Sequence, residues 1–245
     1  MEQRTYHTSR KPREERRFDK TQLVDTELVH RDYAAHFFRW SWVQHEVRFG
    51  AKLLDVGCGA HAPLLGVVAT NRGRVRPNNY TGVDLNKINR KSVPAWADVR
   101  GEFDFTARYK ELSKATFDRV VCFEVIEHMG VRDGDKLLEG VAYCLKPNGR
   151  LYLSTPVFSG AAAANHIHEY EAEELAKKIK TRGFNVLKRY GTFARLPAIE
   201  KVLTKEERVV FKRMSEFYSH EAMSVFFAVH HPNEASNNMW VCEKK

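Results

Sequence analysis

The stretch from Lys52 to Ala60 constrains the fold of this chain more than any other. Lys52-Leu53-Leu54-Asp55-Val56 is a short apolar run broken by one acid, and it meets Gly57-Cys58-Gly59-Ala60 without a spacer. Two glycines one residue apart tolerate positive φ and let a ligand reach bare backbone. Small residues from Ala62 onward open a helix whose first N–H groups lack partners within it and face the turn. The spacing Gly-x-Gly-x-x-Ala is one form of the turn that cradles nucleotides in α/β folds. It is also a plain tight connection from strand to helix, so the rest of the chain has to separate the two readings.

Further runs follow in an alternating order. Tyr80-Thr81-Gly82-Val83 predicts a second strand ending in Asp84, 25 residues after Gly59. A carboxylate at that place accepts from both hydroxyls of a ribose. A third strand is expected over 93–97, ending at Asp98, with Asp104 as the second choice for an acid there. Phe117-Asp118-Arg119-Val120-Val121-Cys122-Phe123 is mostly apolar, as a parallel strand covered on both faces should be, and leads into Glu124-Val125-Ile126-Glu127-His128. A helix over 137–145 stops at Lys146-Pro147-Asn148-Gly149, and Arg150 to Pro156 forms a fifth strand. A helix over 171–182 precedes Gly183-Phe184-Asn185-Val186, the entry to a sixth strand ending near Thr192. Strands alternating with helices call for a doubly wound, mostly parallel sheet in an α/β fold.

Three segments lie outside that core. In residues 1–20, Arg4, Arg10, Lys11, Arg13, Arg16, Arg17 and Lys20 outnumber Glu2, Glu14, Glu15 and Asp19 by three. This reads as a basic flexible arm that either grips phosphates or simply stays solvated. Residues 21–50 are an aromatic-rich helical leader that covers the core, and Asp32-Tyr33 and Arg39-Trp40 there can touch a ligand or serve packing alone. Between the core (51–192) and a last segment (237–245), residues 193–236 form an insert with helices expected over 204–218 and 222–229.

Composition excludes several classes. The 245 residues are 43% hydrophobic and 29% charged, and no run approaches the ~18–20 apolar residues of a membrane span. The charged N-terminus has no apolar signal core. Cys58, Cys122, Cys144 and Cys242 are scattered without Cys-x-x-Cys pairs, so neither a disulfide framework nor a zinc site is indicated, and a reduced, cytoplasmic setting is expected. A net charge of +9 favours an anionic partner, or is spread evenly for solubility alone.

Taken together, Asp55-Val56-Gly57-Cys58-Gly59, Gly82-Val83-Asp84, Phe117-Asp118-x-Val120, Glu124-Val125-Ile126-Glu127-His128 and Leu145-Lys146-Pro147-Asn148-Gly149 come in a telling order. They resemble the class I S-adenosylmethionine (SAM) dependent methyltransferases over residues 51–190, above all the branch of ubiquinone-pathway O-methyltransferases. The resemblance implies a seven-stranded sheet whose last, antiparallel strand comes from residues 238–244. It implies that Asp55, Gly57, Cys58, Gly59, Asp84, Leu85, Asp98, Val99, Phe123 and Glu124 line the cofactor, with Asp98 accepting from the adenine amino group. The insert would cover the methyl end as a substrate lid, or only cap the sheet.

Proton chemistry has three candidate clusters: Glu124, Glu127 and His128; His166 and His168 with Glu169; and His220, His230 and His231. A histidine suits a general base near neutral pH, and His128, Glu127 and His168 are the catalytic candidates. Glu-x-x-Glu-His with a later histidine also resembles the magnesium site of small-RNA 2′-O-methyltransferases, which implies Mg²⁺ on Glu124, Glu127, His128 and His168 (or His166). Asp/Asn/Ser-Pro-Pro-aromatic and Pro-Cys motifs are absent, which disfavours amino-directed DNA methylation and 5-methylcytosine chemistry. The expected function is methyl transfer from SAM to oxygen or nitrogen of a nucleotide or nucleic acid. A small-molecule O-methyltransferase and a non-catalytic SAM-binding scaffold are the alternatives.

Overall fold

In the computed structural model, residues 31–47, 50–68 and 79–245 are described. The arm (1–20) and the start of the leader (21–30) lie outside them. The chain runs α1 (Arg31–Glu46), β1 (Leu53–Val56), α2 (Pro63–Val68), β2 (Tyr80–Val83), β3 (Asp98–Arg100), α3 (Phe105–Arg108), β4 (Phe117–Phe123), α4 (Val131–Cys144), β5 (Leu145–Pro156), α5 (Ala172–Thr181), β6 (Phe184–Ala194), α6 (Leu196–Val202), α7 (Lys205–Met214), α8 (His220–Ala228) and β7 (Ala235–Lys244). The seven strands form one sheet in the order β3-β2-β1-β4-β5-β7-β6. Strands β1 to β5 pair in parallel, and β7 runs antiparallel between β5 and β6. This is the doubly wound sheet that the alternation of strand and helix signals predicts.

Successive side chains of a strand point to opposite faces, and here both faces are covered. Leu54, Val56, Val120, Cys122, Leu151 and Leu153 pack with Leu137, Leu138 and Val141 of α4 and with Leu175 and Ile179 of α5. Their neighbours Leu53, Tyr80, Val99, Val121, Tyr152 and Val241 pack with Val43 and Val47 of the leader and with Leu64, Leu65 and Val68 of α2. Burial on both sides explains why β1 and β4 read as nearly continuous apolar runs. All four cysteines are buried and free. Among the described residues, no helix is long and apolar enough to cross a membrane.

The third strand is a correction. Val93 and Ala97 are buried, but residues 91–97 are turns, and the strand is Asp98–Arg100. The insert also differs in detail: α6 was not foreseen, and α7 and α8 are shorter or shifted relative to 204–218 and 222–229. Thr204 and Glu207 close a capping box at the start of α7, and Ser219 caps α8. Ile199, Leu203 and Ala228 join Ala194 and Ala235 in a small core of their own. The insert therefore leaves the sheet at the carboxyl end of β6 and returns beside it at the start of β7.

Candidate active site

The carboxyl ends of β1, β2, β4 and β5 share one edge of the sheet, the ligand side of such folds. The turn after β1 sits there. Gly57 (φ +75°) and Gly59 (φ +73°) hold left-handed backbone, and the N–H groups of Gly57 and Cys58 both donate to the Val83 carbonyl. A Cβ on Gly57 would stand 2.3 Å from Val125 Cγ2. Gly57→Ala therefore combines a strained φ with an overlap, and is expected to cost about 2 kcal/mol in urea unfolding while weakening cofactor binding.

Behind the turn, the buried Asp55 carboxyl accepts from the Tyr80 hydroxyl at 2.7 Å. Burial lifts its pKa to about 7; the Tyr80 hydrogen bond opposes this and the Asp84 charge adds to it. Asp55 thus braces the turn from the core. Cys58 likewise turns its thiol into the core, so only its backbone can meet a ligand. Asp84 ends β2 with its carboxylate on the turn: Oδ2 accepts from Gly59 N–H at 2.8 Å, and Oδ1 from Asn86 N–H at 2.7 Å. Leu85 beside it is exposed.

Asp98 and Val99 do not reach this edge. Asp98 pairs with Thr81 at the start of β3, where its carboxylate meets the Arg100 guanidinium at 2.9 Å, and Val99 is buried in the core. The residues that do follow β3 at the ligand side are Gly101, Glu102 and Phe103. Glu102 N–H donates to the Asn86 carbonyl and Phe103 N–H to that of Asp84. Asp104, the second choice, is used as the cap of α3, accepting from Thr106 and Ala107 N–H. Counting strand residues from the register of β2, rather than from the nearest acid, would have found this loop.

At the end of β4, Glu124 adopts φ +56°, rare for a residue with a side chain. Its carboxylate lies 3.3 Å from Arg39 Nη1 and accepts from Ser154 Oγ at 2.7 Å and Asn237 Nδ2 at 2.9 Å. Burial pushes its pKa up, but Arg39, Ser154 and Asn237 outweigh that and hold it below the usual carboxylate range. Arg39 reaches in from α1 and also approaches His36 and Thr192, while its Nε is buried without a hydrogen-bond partner. The guanidinium stands over the Phe123 ring at 5.9 Å. Sequence reading left Arg39 open between packing and ligand contact, because nothing in a helix names its partner across the sheet.

Next to it, Glu127 is buried, with Oε2 accepting from Thr155 at 3.0 Å and Oε1 without a hydrogen-bond partner. Burial first, then the nearby Glu124 charge, raise its pKa to about 8. His128 Nε2 lies 4.0 Å from Glu127 Oε1, and its Nδ1 lies 3.0 Å from the Asn165 carbonyl. A carbonyl only accepts, so Nδ1 carries a proton, and in the neutral ring Nε2 is then the acceptor. The His166 ring meets that of His128 edge to face at 5.0 Å, and its Nδ1 is held by Glu169 at 2.5 Å.

The four-residue magnesium set does not assemble. Glu124 is committed to Arg39, and the His168 ring meets that of Tyr170 edge to face, with Nε2 3.5 Å from Glu174. Glu127, His128 and His166 do converge, one donor atom from each within 4.8 Å of the others. Two imidazoles and a single carboxyl are a poor match for Mg²⁺, which prefers charged and neutral oxygens. Of the third cluster, His231 is paired with Glu207 at 3.1 Å, fastening α7 to the loop before β7.

Comparison with known proteins bears on this arrangement. A family model described as a methyltransferase domain matches residues 46–189. The ubiquinone biosynthesis O-methyltransferase of Idiomarina loihiensis is 33% identical over 130 residues, 49% of this chain and 50% of that protein. That of Xanthomonas euvesicatoria is 32% identical over 135 residues, 52% and 53% of the two chains. The chain thus spans about half the length of the curated relatives it matches. A SAM dependent methyltransferase structure from Archaeoglobus fulgidus superposes with a TM-score of 0.58 at 16% identity, covering 93% of this chain and 99% of that one. A 1,6-didemethyltoxoflavin-N1-methyltransferase from Burkholderia thailandensis, bound to S-adenosylhomocysteine, gives 0.57 at 17%, covering 87% and 80%. Fold, motif order and family match agree: the chain belongs to the class I SAM-dependent methyltransferase family.

Proposed function

We propose that this chain O-methylates a small molecule through a hydroxyl group. The observation that carries the reading is the free lone pair of His128 Nε2 beside a buried, half-satisfied Glu127 at the ligand edge. The names of the curated relatives support it. The nucleotide or nucleic-acid acceptor expected from charge has no support among them, so the small-molecule alternative becomes the main reading.

Bound SAM supplies an electrophilic methyl group on sulfur. Asp84 takes the ribose hydroxyls, since its oxygens already lie against the turn with lone pairs left over. The orphaned Arg39 Nε suits a carboxylate at the methionine end, while Arg39 and Asn237 fix Glu124 and the backbone after Phe123. His128 Nε2 accepts the proton of the acceptor hydroxyl as the oxygen turns nucleophilic. Glu127 Oε1, 4.0 Å away, faces the resulting imidazolium, and the charge lowers the cost of ionising that buried carboxyl.

The test is transfer of labelled methyl from SAM to a panel of phenols, alcohols and RNA, with and without chelator. The expected outcome is O-methylation of a small hydroxyl compound that chelator leaves unchanged and His128→Gln lowers by about 100-fold. Methylation of RNA alone would replace this reading. S-adenosylhomocysteine binding without any turnover would favour the scaffold.

Glu127 also sets a pH dependence of stability. Its folded pKa, about 8, lies above the ordinary 4.5, so the folded state holds a proton that the unfolded chain releases. That contribution is full below 4.5 and is lost as pH rises towards 8. Urea unfolding across this window should show stability falling with pH, with a shallower slope in Glu127→Gln; Asp55, raised to about 7 by burial, contributes in the same direction.

A further inference from the structure

Between β5 and α5 the chain makes an excursion that is closed at its neck. Val157 pairs there with Tyr170, and Phe158 N–H donates to the Tyr170 carbonyl at 3.0 Å. Inside the excursion, Gly160-Ala161-Ala162-Ala163-Ala164 carries no side chain larger than a methyl, and the whole run is exposed. Such a run has little of its own to pack, so the order of this loop must be imposed by a neighbour. The buried Glu169 does so. Its Oε1 accepts from Ala163 N–H at 3.0 Å and holds His166 Nδ1 at 2.5 Å. A buried carboxylate is costly without donors, and both of these come from the turn that it closes. His166 N–H completes that turn on the Ala163 carbonyl at 2.9 Å.

The closed turn meets the end of β4. The Asn165 carbonyl takes the His128 Nδ1–H at 3.0 Å, and the His166 ring lies edge to face with the His128 ring at 5.0 Å. The Glu127 carbonyl accepts from Ile167 N–H at 2.8 Å and His168 N–H at 3.1 Å. A histidine in water prefers its proton on Nε2, which makes that nitrogen a donor. The hydrogen bond made by the other nitrogen overrides this preference. Here the overriding acceptor is one carbonyl, on an exposed residue, in a turn stapled by one carboxylate.

We propose that Glu169 is a positioning residue for His128. By closing the 163–166 turn it sets the Asn165 carbonyl on Nδ1 and the His166 ring against the imidazole. That fixes the tautomer in which Nε2 is the acceptor. Catalytic use of the Nε2 lone pair rests on the O-methylation reading above; control of the tautomer does not.

Ring-nitrogen NMR of the whole chain tests it, without acceptor and at a pH where the histidines are neutral. The unaltered protein should show His128 protonated on Nδ1. Glu169→Ala should move His128 towards the Nε2–H form. With an acceptor from the panel above, it should also lower kcat by about tenfold and leave the KM for SAM within about twofold. Glu169→Gln keeps an oxygen acceptor for both donors, so it should retain the tautomer and most of the turnover. Glu169→Asp draws the carboxylate back by one methylene and should fall between them; it answers the same question if the alanine variant does not fold. S-adenosylhomocysteine binding checks the fold of each variant. A tautomer unchanged in Glu169→Ala and Glu169→Asp overturns the proposal and leaves His128 as the base. His128 protonated on Nε2 in the unaltered chain overturns both. A tautomer shift without loss of turnover upholds the positioning and removes His128 from the reaction.

Discussion

Asp84→Ala should weaken S-adenosylhomocysteine binding by about 100-fold or more. The carboxylate already orders the turn, accepting from Gly59 N–H at 2.8 Å and Asn86 N–H at 2.7 Å. A ribose adds two donors to the same charged group, and each charge-assisted bond contributes roughly 1.5–3 kcal/mol. Losing both amounts to about 3 kcal/mol or more, hence the factor of 100. Asp84→Asn keeps the shape and one acceptor, so it should fall between the two. Calorimetric titration reads the affinities, and unfolding of each variant separates lost contacts from lost fold. A change of less than about threefold in Asp84→Ala would remove Asp84 from the cofactor site.

Arg39→Met should destabilise the fold by about 2–3 kcal/mol. Arg39 is 2% exposed and Glu124 25%, so the loss falls short of the ~3–5 kcal/mol seen when one partner of a fully buried pair is removed. What remains is a carboxylate held by Ser154 and Asn237 with no cation beside it. The double variant Arg39→Met/Glu124→Gln removes that stranded charge and should recover part of the stability, a positive coupling in a double-mutant cycle. Urea unfolding measures all three proteins. Additive effects would mean that the two side chains act independently, against the geometry.

The parts of the fold legible in the sequence are those where local pattern and tertiary burial agree. Leu53–Val56 and Phe117–Phe123 are covered on both faces, so their apolar runs announce strands. Val93 and Ala97 are buried in turns, and a burial signal without a strand moved the third strand several residues early. Asp98 was misplaced for that reason alone. Lys146-Pro147-Asn148-Gly149 has the composition of a break, yet it is a bulge inside β5, where pairing jumps from Phe117–Leu145 to Arg119–Arg150. In the site, Asp84, Glu124, Glu127 and His128 were found because motif spacing places them at strand ends. His166 displaced His168 as the neighbour of His128, since which of two histidines turns inward depends on the fold of the loop, not on spacing. Arg39 and Asn237 come from α1 and β7, far away along the chain, and only the closed sheet brings them to Glu124.

The place of β7 orders events during synthesis. Among the described residues, strand β6 pairs with β7 alone, so when ribosomes have delivered everything up to Ala194 that strand has none of them to bond with. The edge of β5 stands open for the same interval, a template for unwanted pairing between nascent chains. Residues 235–244 then enter as a wedge between two waiting strands. Asn237 travels with that wedge, so the amide that steadies Glu124 arrives after Arg39, Glu124 and Ser154. A chain halted before β7 would carry the glycine turn and Asp84 yet lack the amide that steadies Glu124, so that end of the site waits for the synthesis of β7.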